Sequence, residues 1–304
     1  MGKVKLWWTA VRPFAFTASV TPVLLGSSIA AALNKDLAFN WLYFILAVLG
    51  GMLVHAGTNL FNDYYDYKGG IDREGTLGSS GLLVGKLMKP SQTFKGGVVS
   101  FFLAVVIGVF FVIKFQFDTF FIGLCVFGLL SGIFYTASPV SFKYRALGDF
   151  QVFLSMGVLM TVGSYYIQTG EFSWIVVLYS IPISILVDAI LHSNNLRDIE
   201  DDRKAGITTL AMMLGESGAR ILYYSLLIGA YVWVVLCVIF FKLHPVVMVS
   251  LLSLPLGIKL IKMVKSKDTL PKEVFAMIDA GTAQLHTAVG VLMTIGFVLQ
   301  RVVF

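Results

Sequence analysis

Long apolar runs joined by short polar connections set the pattern of this chain. Nine of them, Phe14–Leu33, Trp41–Leu60, Gly97–Ile113, Thr119–Ala137, Phe150–Gln168, Trp174–Leu191, Ile221–Phe241, Val246–Ile261 and Leu285–Leu299, are each about long enough to cross a bilayer as a helix. The expected fold is an all-α membrane protein with nine transmembrane helices. The first run lacks the short apolar core and small-residue cleavage site of a signal peptide, so it reads as a permanent helix.

Two of the runs end in bursts of polar residues. The sixth leads into Asn194-Asn195-Leu196-Arg197-Asp198-Ile199-Glu200-Asp201-Asp202-Arg203. If its helix continues, Asn194, Asp198 and Asp202 recur every four residues and share one face, roughly 6 Å apart along the axis. The second run ends in Asn62-Asp63-Tyr64-Tyr65-Asp66, another Asn-x-x-x-Asp pair, with Asp63 beside it and Asp72 following. Carboxylates gathered from two places repel one another unless a positive charge sits between them. Oxygen-rich, thiol-free ligand sets suit Mg²⁺ rather than Zn²⁺.

Composition agrees with the pattern: 57% of the residues are hydrophobic and 13% charged, more apolar surface than a soluble domain could bury. With nine spans, Lys35, Lys114, Lys242 and Arg301 fall on one side, leaving 19 of the 23 Lys and Arg on the other. By the positive-inside rule that basic side, with the N-terminus and both acidic clusters, is cytoplasmic. The net charge of +6 follows from this topology and from anionic headgroups, so nucleic-acid binding is not expected. Cys125 and Cys237 lie inside spans without a metal or disulfide spacing and read as buried side chains.

Along the chain, Trp7 and Trp8 read as interfacial anchors, while Arg12 opens the first span as Arg145 opens the fifth. The 133-residue offset between these arginines nearly matches the 132 between Asp66 and Asp198. The single domain, 1–304, thus reads as two four-helix halves, 12–137 and 145–264, with a ninth helix at 274–302. Parallel repeats of this kind place a shared site at their interface. The glycine-rich 67–92 loop, with its apolar Leu82-Leu83-Val84, reads as a lid. Lys143 and Arg145 sit in a short loop between the halves, where they either set topology or bind an anion. His55 reads as a packed, hydrogen-bonded residue rather than a ligand. Asp188, ten residues before Asp198 and roughly 15 Å deeper, is either a structural carboxyl or a contact for a substrate hydroxyl. Asp279 lies nearer the interface and carries less information.

Carboxylates at one mouth, basic residues beside them and a greasy interior describe a site for an amphipathic phosphate ester. Mg²⁺ binds through one or two carboxylates, water and phosphate oxygens, so two opposed acidic clusters can hold a diphosphate. A transporter should place its acids near the bilayer midplane, whereas eight of the 17 acidic residues crowd positions 63–74 and 198–202. A membrane phosphotransferase would carry its acids in one contiguous motif, and a lipid-binding scaffold would have no use for both clusters.

At these residues the chain resembles the UbiA superfamily of intramembrane prenyltransferases. The likeness runs from Arg12-Pro13 through Asn62 to Asp66, Lys143 to Asp149 and Asn194 to Asp202. The stretch LHSNNLRDIEDDRKAGITTLA, with GSYYIQTG and TAQLH, looks most like the quinone branch, whose members prenylate 1,4-dihydroxy-2-naphthoate or make menaquinone-4. The resemblance implies nine helices around a central cavity, two Mg²⁺ ions, a lateral opening to lipid and a prenyl diphosphate donor such as geranylgeranyl diphosphate. The implied reaction is prenyl transfer to an aromatic acceptor, with 1,4-dihydroxy-2-naphthoate ahead of 4-hydroxybenzoate. It puts metal at Asn62, Asp66, Asn194, Asp198 and Asp202, with Asp63 and Asp72 as further candidates, and the diphosphate at Lys143. Asp72 stands six residues after Asp66, where many relatives place the third acid four residues on. Asp66, Asp198 and Lys143 are then the expected catalytic residues, and Asn62, Asn194, Arg12, Arg145, Arg197, Tyr135 and Tyr65 the expected substrate contacts. Tyr64 and Tyr165 join Tyr65 and Tyr135 as candidates to line the acceptor slot, because a tyrosine offers a stacking face and a hydroxyl.

Overall fold

Short polar caps start several of the long helices. Asn40 accepts a hydrogen bond from the Tyr43 backbone N–H at 3.0 Å, Asp118 from Phe121 at 2.8 Å and Thr209 from Met212 at 3.4 Å. Each satisfies an N–H that the first turn leaves without a partner, which matters most where water is scarce. The computed structural model describes residues 2–75 and 78–303. A short helix α1 (Lys3–Val11) precedes nine apolar helices: α2 (Pro13–Leu33), α3 (Trp41–Lys68), α4 (Pro90–Lys114), α5 (Thr119–Ile133), α6 (Gly148–Thr169), α7 (Trp174–Ala205), α8 (Leu210–Phe240), α9 (Pro245–Lys265) and α10 (Lys272–Val303). Eight are long and apolar enough to cross a membrane, and α5 is shorter at 15 residues. The protein is an integral, multi-pass membrane protein, and no strand occurs among the described residues.

The departures from the expected spans occur at helix ends. α5 stops at Ile133 rather than Ala137 because the chain folds back on itself, with the N–H groups of Phe142 and Lys143 donating to the carbonyls of Phe134 and Tyr135. α8 begins at Leu210, not Ile221, and turns at Gly215 (φ 68°, ψ 169°), a backbone conformation that favours glycine. α3 runs on past the apolar stretch to Lys68, and α7 runs to Ala205, where Gly206 takes up the left-handed cap. Both acidic motifs therefore lie on continuous helix.

The main core forms where α2, α6, α7, α8, α9 and α10 meet, around Leu25, Ile29, Val162, Ile183, Leu186, Leu227 and Val289. Hydroxyl pairs lock these helices together: Ser27 with Ser164 at 2.7 Å, Tyr223 with Thr282 at 2.7 Å and Tyr231 with Ser253 at 2.8 Å. Polar side chains in an apolar surrounding pair with each other because water does not reach them. The outer face of α4 exposes Val98, Val99, Phe102 and Val106, an apolar surface suited to lipid. A cavity remains between α3, α4 and α5 on one side and α2, α6, α7 and the start of α10 on the other.

Candidate active site

The cavity has a volume of about 950 Å³ and its charge is concentrated at one end. Asn62 and Asp66 reach that end from α3, Asn194, Asp198 and Asp202 from α7, and Asp72, Lys143, Arg12, Arg197 and Asp279 complete the rim. The i, i+4 spacing puts each set on one face of its helix, so the two Asn-x-x-x-Asp ladders share one opening. On the wall of α3 the cavity continues to Leu46, sixteen residues from Asn62 or roughly 24 Å. Phe111, Phe121 and Ile167 line its far, apolar part.

Basic side chains already neutralise the leading acid of each ladder. Lys143 Nζ donates to Asp66 Oδ2 at 2.6 Å and to Asn62 Oδ1 at 3.0 Å, and the Tyr144 hydroxyl donates to Asp66 Oδ1 at 2.5 Å. Arg197 grips Asp198 with two parallel hydrogen bonds of 2.7 Å and donates to Asp279 at 2.8 Å. Burial opposes the charge on Lys143, but Asp66 outweighs it and holds the ammonium above its ordinary range. Burial, followed by the charge of Asp66, pushes the Asp72 carboxyl up to about 6. The Tyr144 hydroxyl is raised by burial and then by Asp66, so it stays a proton donor.

This donor set fits a hard divalent cation. Amide and carboxylate oxygens converge from two helices on one opening. Among the described residues no three His, Cys, Asp or Glu side chains form a closed metal cage. An open site agrees with Mg²⁺, which keeps water and phosphate oxygens among its ligands.

Some expected site residues point elsewhere. Asp63 does not line the cavity: it pairs with Arg12 and accepts hydrogen bonds from the Ser80 hydroxyl and backbone N–H. One residue from Asn62 means a rotation of about 100° around the helix, which carries Asp63 off the ladder face. Tyr65 is displaced from Asp66 in the same way. Its ring packs against Phe61 and Tyr64, and Tyr64 packs against Phe94 of α4. Tyr165 lies against α2, where its hydroxyl accepts from Asn34 at 3.5 Å. Of the four tyrosines, Tyr135 lines the cavity. Arg145 is exposed, because its backbone bridges to Thr208 and turns the side chain away from the cavity wall. Asp188 is buried outside that wall, and its Oδ1 has no partner among the described residues.

Other pairings emerge only from the structure. Tyr144 and Asp279 join the site through Asp66 and Arg197. Asp149 holds His192 at 3.1 Å and Asn195 at 3.3 Å, while the other ring nitrogen of His192 bonds the Ala219 carbonyl at 2.9 Å. This network fixes the start of α6, just after the Lys143 loop, to α7 and α8. The spacing HSNN hints at it, but a single polar residue on a helix does not name its partner. In the 67–92 loop, Gly78, Ser79 and Ser80 line the mouth, and Leu82, Leu83 and Met88 are buried against Ala10 and Leu60. Thr76 and Leu77 of that loop lie outside the described residues.

A model of the UbiA prenyltransferase family matches residues 19–281. The chain belongs to this family. A UbiA-family relative, the 1,4-dihydroxy-2-naphthoate octaprenyltransferase of Bacillus subtilis (strain 168), is 35% identical over 296 residues, 97% of this chain and 93% of that protein. The UbiA prenyltransferase domain-containing protein 1 of Homo sapiens is 33% identical over 294 residues, 95% of this chain and 82% of that protein. Among solved structures, a UbiA homolog from Archaeoglobus fulgidus bound to GPP and Mg²⁺ shares the fold with a TM-score of 0.66 at 14% identity, covering 95% of this chain and 99% of that one. The protein is thus a UbiA-type prenyltransferase, and its charged-mouthed apolar cavity is the candidate active site of that activity.

Proposed function

We propose that the protein transfers a prenyl group from a prenyl diphosphate, such as geranylgeranyl diphosphate, to 1,4-dihydroxy-2-naphthoate, with loss of the acceptor's carboxyl group, in menaquinone-type quinone synthesis. The observation that carries this reading is the polarity of one cavity, acidic and basic at its mouth and increasingly apolar along the roughly 24 Å to its far end. A diphosphate fits the first part and a prenyl tail the second. The 35% identity to the naphthoate enzyme of Bacillus subtilis supports the acceptor, and the GPP and Mg²⁺ in the Archaeoglobus homolog support the donor and the metal. The lopsided lysines and arginines support a cytoplasmic mouth.

Mg²⁺, as two ions between Asn62 and Asp66 on one helix and Asn194, Asp198 and Asp202 on the other, would supply positive charge to the departing diphosphate. The chain's own residues do the rest. Lys143 and Arg197, now paired with Asp66 and Asp198 at the cavity mouth, would turn their charge onto the oxygens of a diphosphate bound there. Arg12 is held at the rim by Asp63, which orients it toward the same anion. Tyr135 offers a ring face and a hydroxyl at the cavity wall. The apolar lining keeps water from the allylic cation that forms as the C–O bond breaks.

The test is a competition. Membranes containing the protein, geranylgeranyl diphosphate and Mg²⁺ receive equal amounts of 1,4-dihydroxy-2-naphthoate and 4-hydroxybenzoate, and products are scored by mass. The expected main product is the decarboxylated, prenylated naphthalene diol. Predominant prenylation of 4-hydroxybenzoate overturns the acceptor and leaves the transfer chemistry standing.

A further inference from the structure

His55 is the only histidine among the described residues that line the cavity. It shares the cavity face of α3 with Asn59, Asn62 and Asp66, and its offset of seven positions from Asn62 sets it two turns deeper, roughly 10 Å. That is the level just beneath a diphosphate held at the mouth, where the reacting carbon of a donor and the ring of an acceptor would meet. The wall there is otherwise weakly polar: Val54, Thr58 and Gly132 pack together beside it.

The hydrogen bonds around the ring favour one tautomer. Nδ1 lies 3.3 Å from Ser19 Oγ, and the Ser19 hydroxyl donates its proton to the Phe16 carbonyl at 3.0 Å. A hydroxyl has one proton to give. While Ser19 gives that proton to Phe16 it can only accept from His55, an arrangement with the ring hydrogen on Nδ1 and the lone pair on Nε2. Phe16 packs edge-on against the imidazole, with centroids 5.7 Å apart, and holds its plane. Among the described residues none bonds Nε2. The cavity thus contains an oriented imidazole below the carboxylates.

We propose that His55 is the general base that takes the proton of the acceptor's ring hydroxyl, a role that rests on transfer to an aromatic hydroxy acid as set out above. The hydroxyl proton passes to Nε2, and the electron pair of the donor's C1–O bond leaves with the diphosphate. The ring carbon next to the ionised oxygen, the one bearing the carboxylate, bonds to C1, and the oxygen becomes a ketone. The carboxylate then leaves as carbon dioxide, its bonding pair restores the aromatic ring, and the ring oxygen recovers its proton from His55. The base ends the cycle as it began, with no outside proton donor.

The test uses the full chain in membranes with Mg²⁺, geranylgeranyl diphosphate and a series of ring-halogenated acceptors of rising hydroxyl acidity. His55→Gln is expected to lower kcat by about 100-fold or more with the least acidic acceptor, with the KM for donor unchanged. The deficit should shrink along the series, because an acceptor that is already ionised needs no base. Ser19→Ala keeps the ring but frees its tautomer, and should show a smaller deficit with the same trend. A deficit that is constant along the series in both variants makes His55 a packing residue and overturns the assignment, as does full turnover by His55→Gln. If the wild type prenylates a different phenol, the same comparison applies to that phenol, and only the acceptor named above is wrong. If it prenylates a non-aromatic alcohol instead, the aromatic reading fails and the base goes with it.

Discussion

At the scale of single residues, the two ladder acids differ in what holds them. Asp66 is buried and answers Lys143, Tyr144 and, through Lys143, Asn62, whereas Asp198 is partly open and clasped by Arg197 alone. Asp66→Asn and Asp198→Asn should each reduce turnover by about 100-fold or more, the scale of removing one strong electrostatic contact from a closed site. They should part company in stability. Asp66→Asn takes the carboxylate from the half-buried Lys143 ammonium and leaves it Asn62, a loss on the order of 1–3 kcal/mol, while Arg197 keeps Asp279 when Asp198 is neutralised. Turnover measured beside the thermal midpoint in detergent checks both halves, and near-normal activity in either variant sinks the two-ladder site. The ladder itself was legible in the chain, because a four-residue repeat on a helix has only one face to occupy. The places of Asp63, Tyr65 and Arg145 were not, because facing the cavity depends on rotation and on backbone pairing that no local pattern records.

At the scale of elements, close approach of helices fixes the frame on which the ladders stand. α2 meets α6 so tightly that a Cβ added at Gly26 would lie 2.1 Å from the Thr161 carbonyl oxygen, and one at Gly157 would lie 2.4 Å from Ser184 Cα on α7. Backbone cannot rotate away as a side chain can. Gly26→Ala should therefore force the helices apart at a cost of about 1–3 kcal/mol, read as a lowered thermal midpoint. Gly123→Ala on α5, where nothing lies within 4 Å, is the matched control and should be neutral. Equal midpoints for the two variants would contradict the packing described here. The apolar runs announced the helices, but not their ends. Lys68 and Ala205 extend the α3 and α7 helices beyond their apolar stretches because the polar side chains there find partners across the cavity mouth.

At the scale of the whole molecule, the cavity is bounded by helices from both ends of the chain, and its mouth is covered by Gly78, Ser79 and Ser80 over an anchor of Leu82, Leu83 and Met88. A ligand filling the mouth should tighten all of these together. A non-hydrolysable prenyl diphosphate analogue with Mg²⁺, at 100 times its Kd, should add about 2.7 kcal/mol of stability and slow proteolysis within the 67–92 loop. Unchanged midpoint and unchanged cutting would remove the site from the cavity mouth. Residue order alone sufficed for the helical class, the number of apolar runs and the two oxygen-rich ladders, because bilayer thickness and the helical period translate directly into residue spacing. Only folding in three dimensions brings Lys143 and Tyr144 to Asp66, Asp279 to Arg197, and Ser19 to His55. Those partners lie 36 to 82 residues apart along the chain, and a side chain's charge or tautomer depends on what reaches it across space.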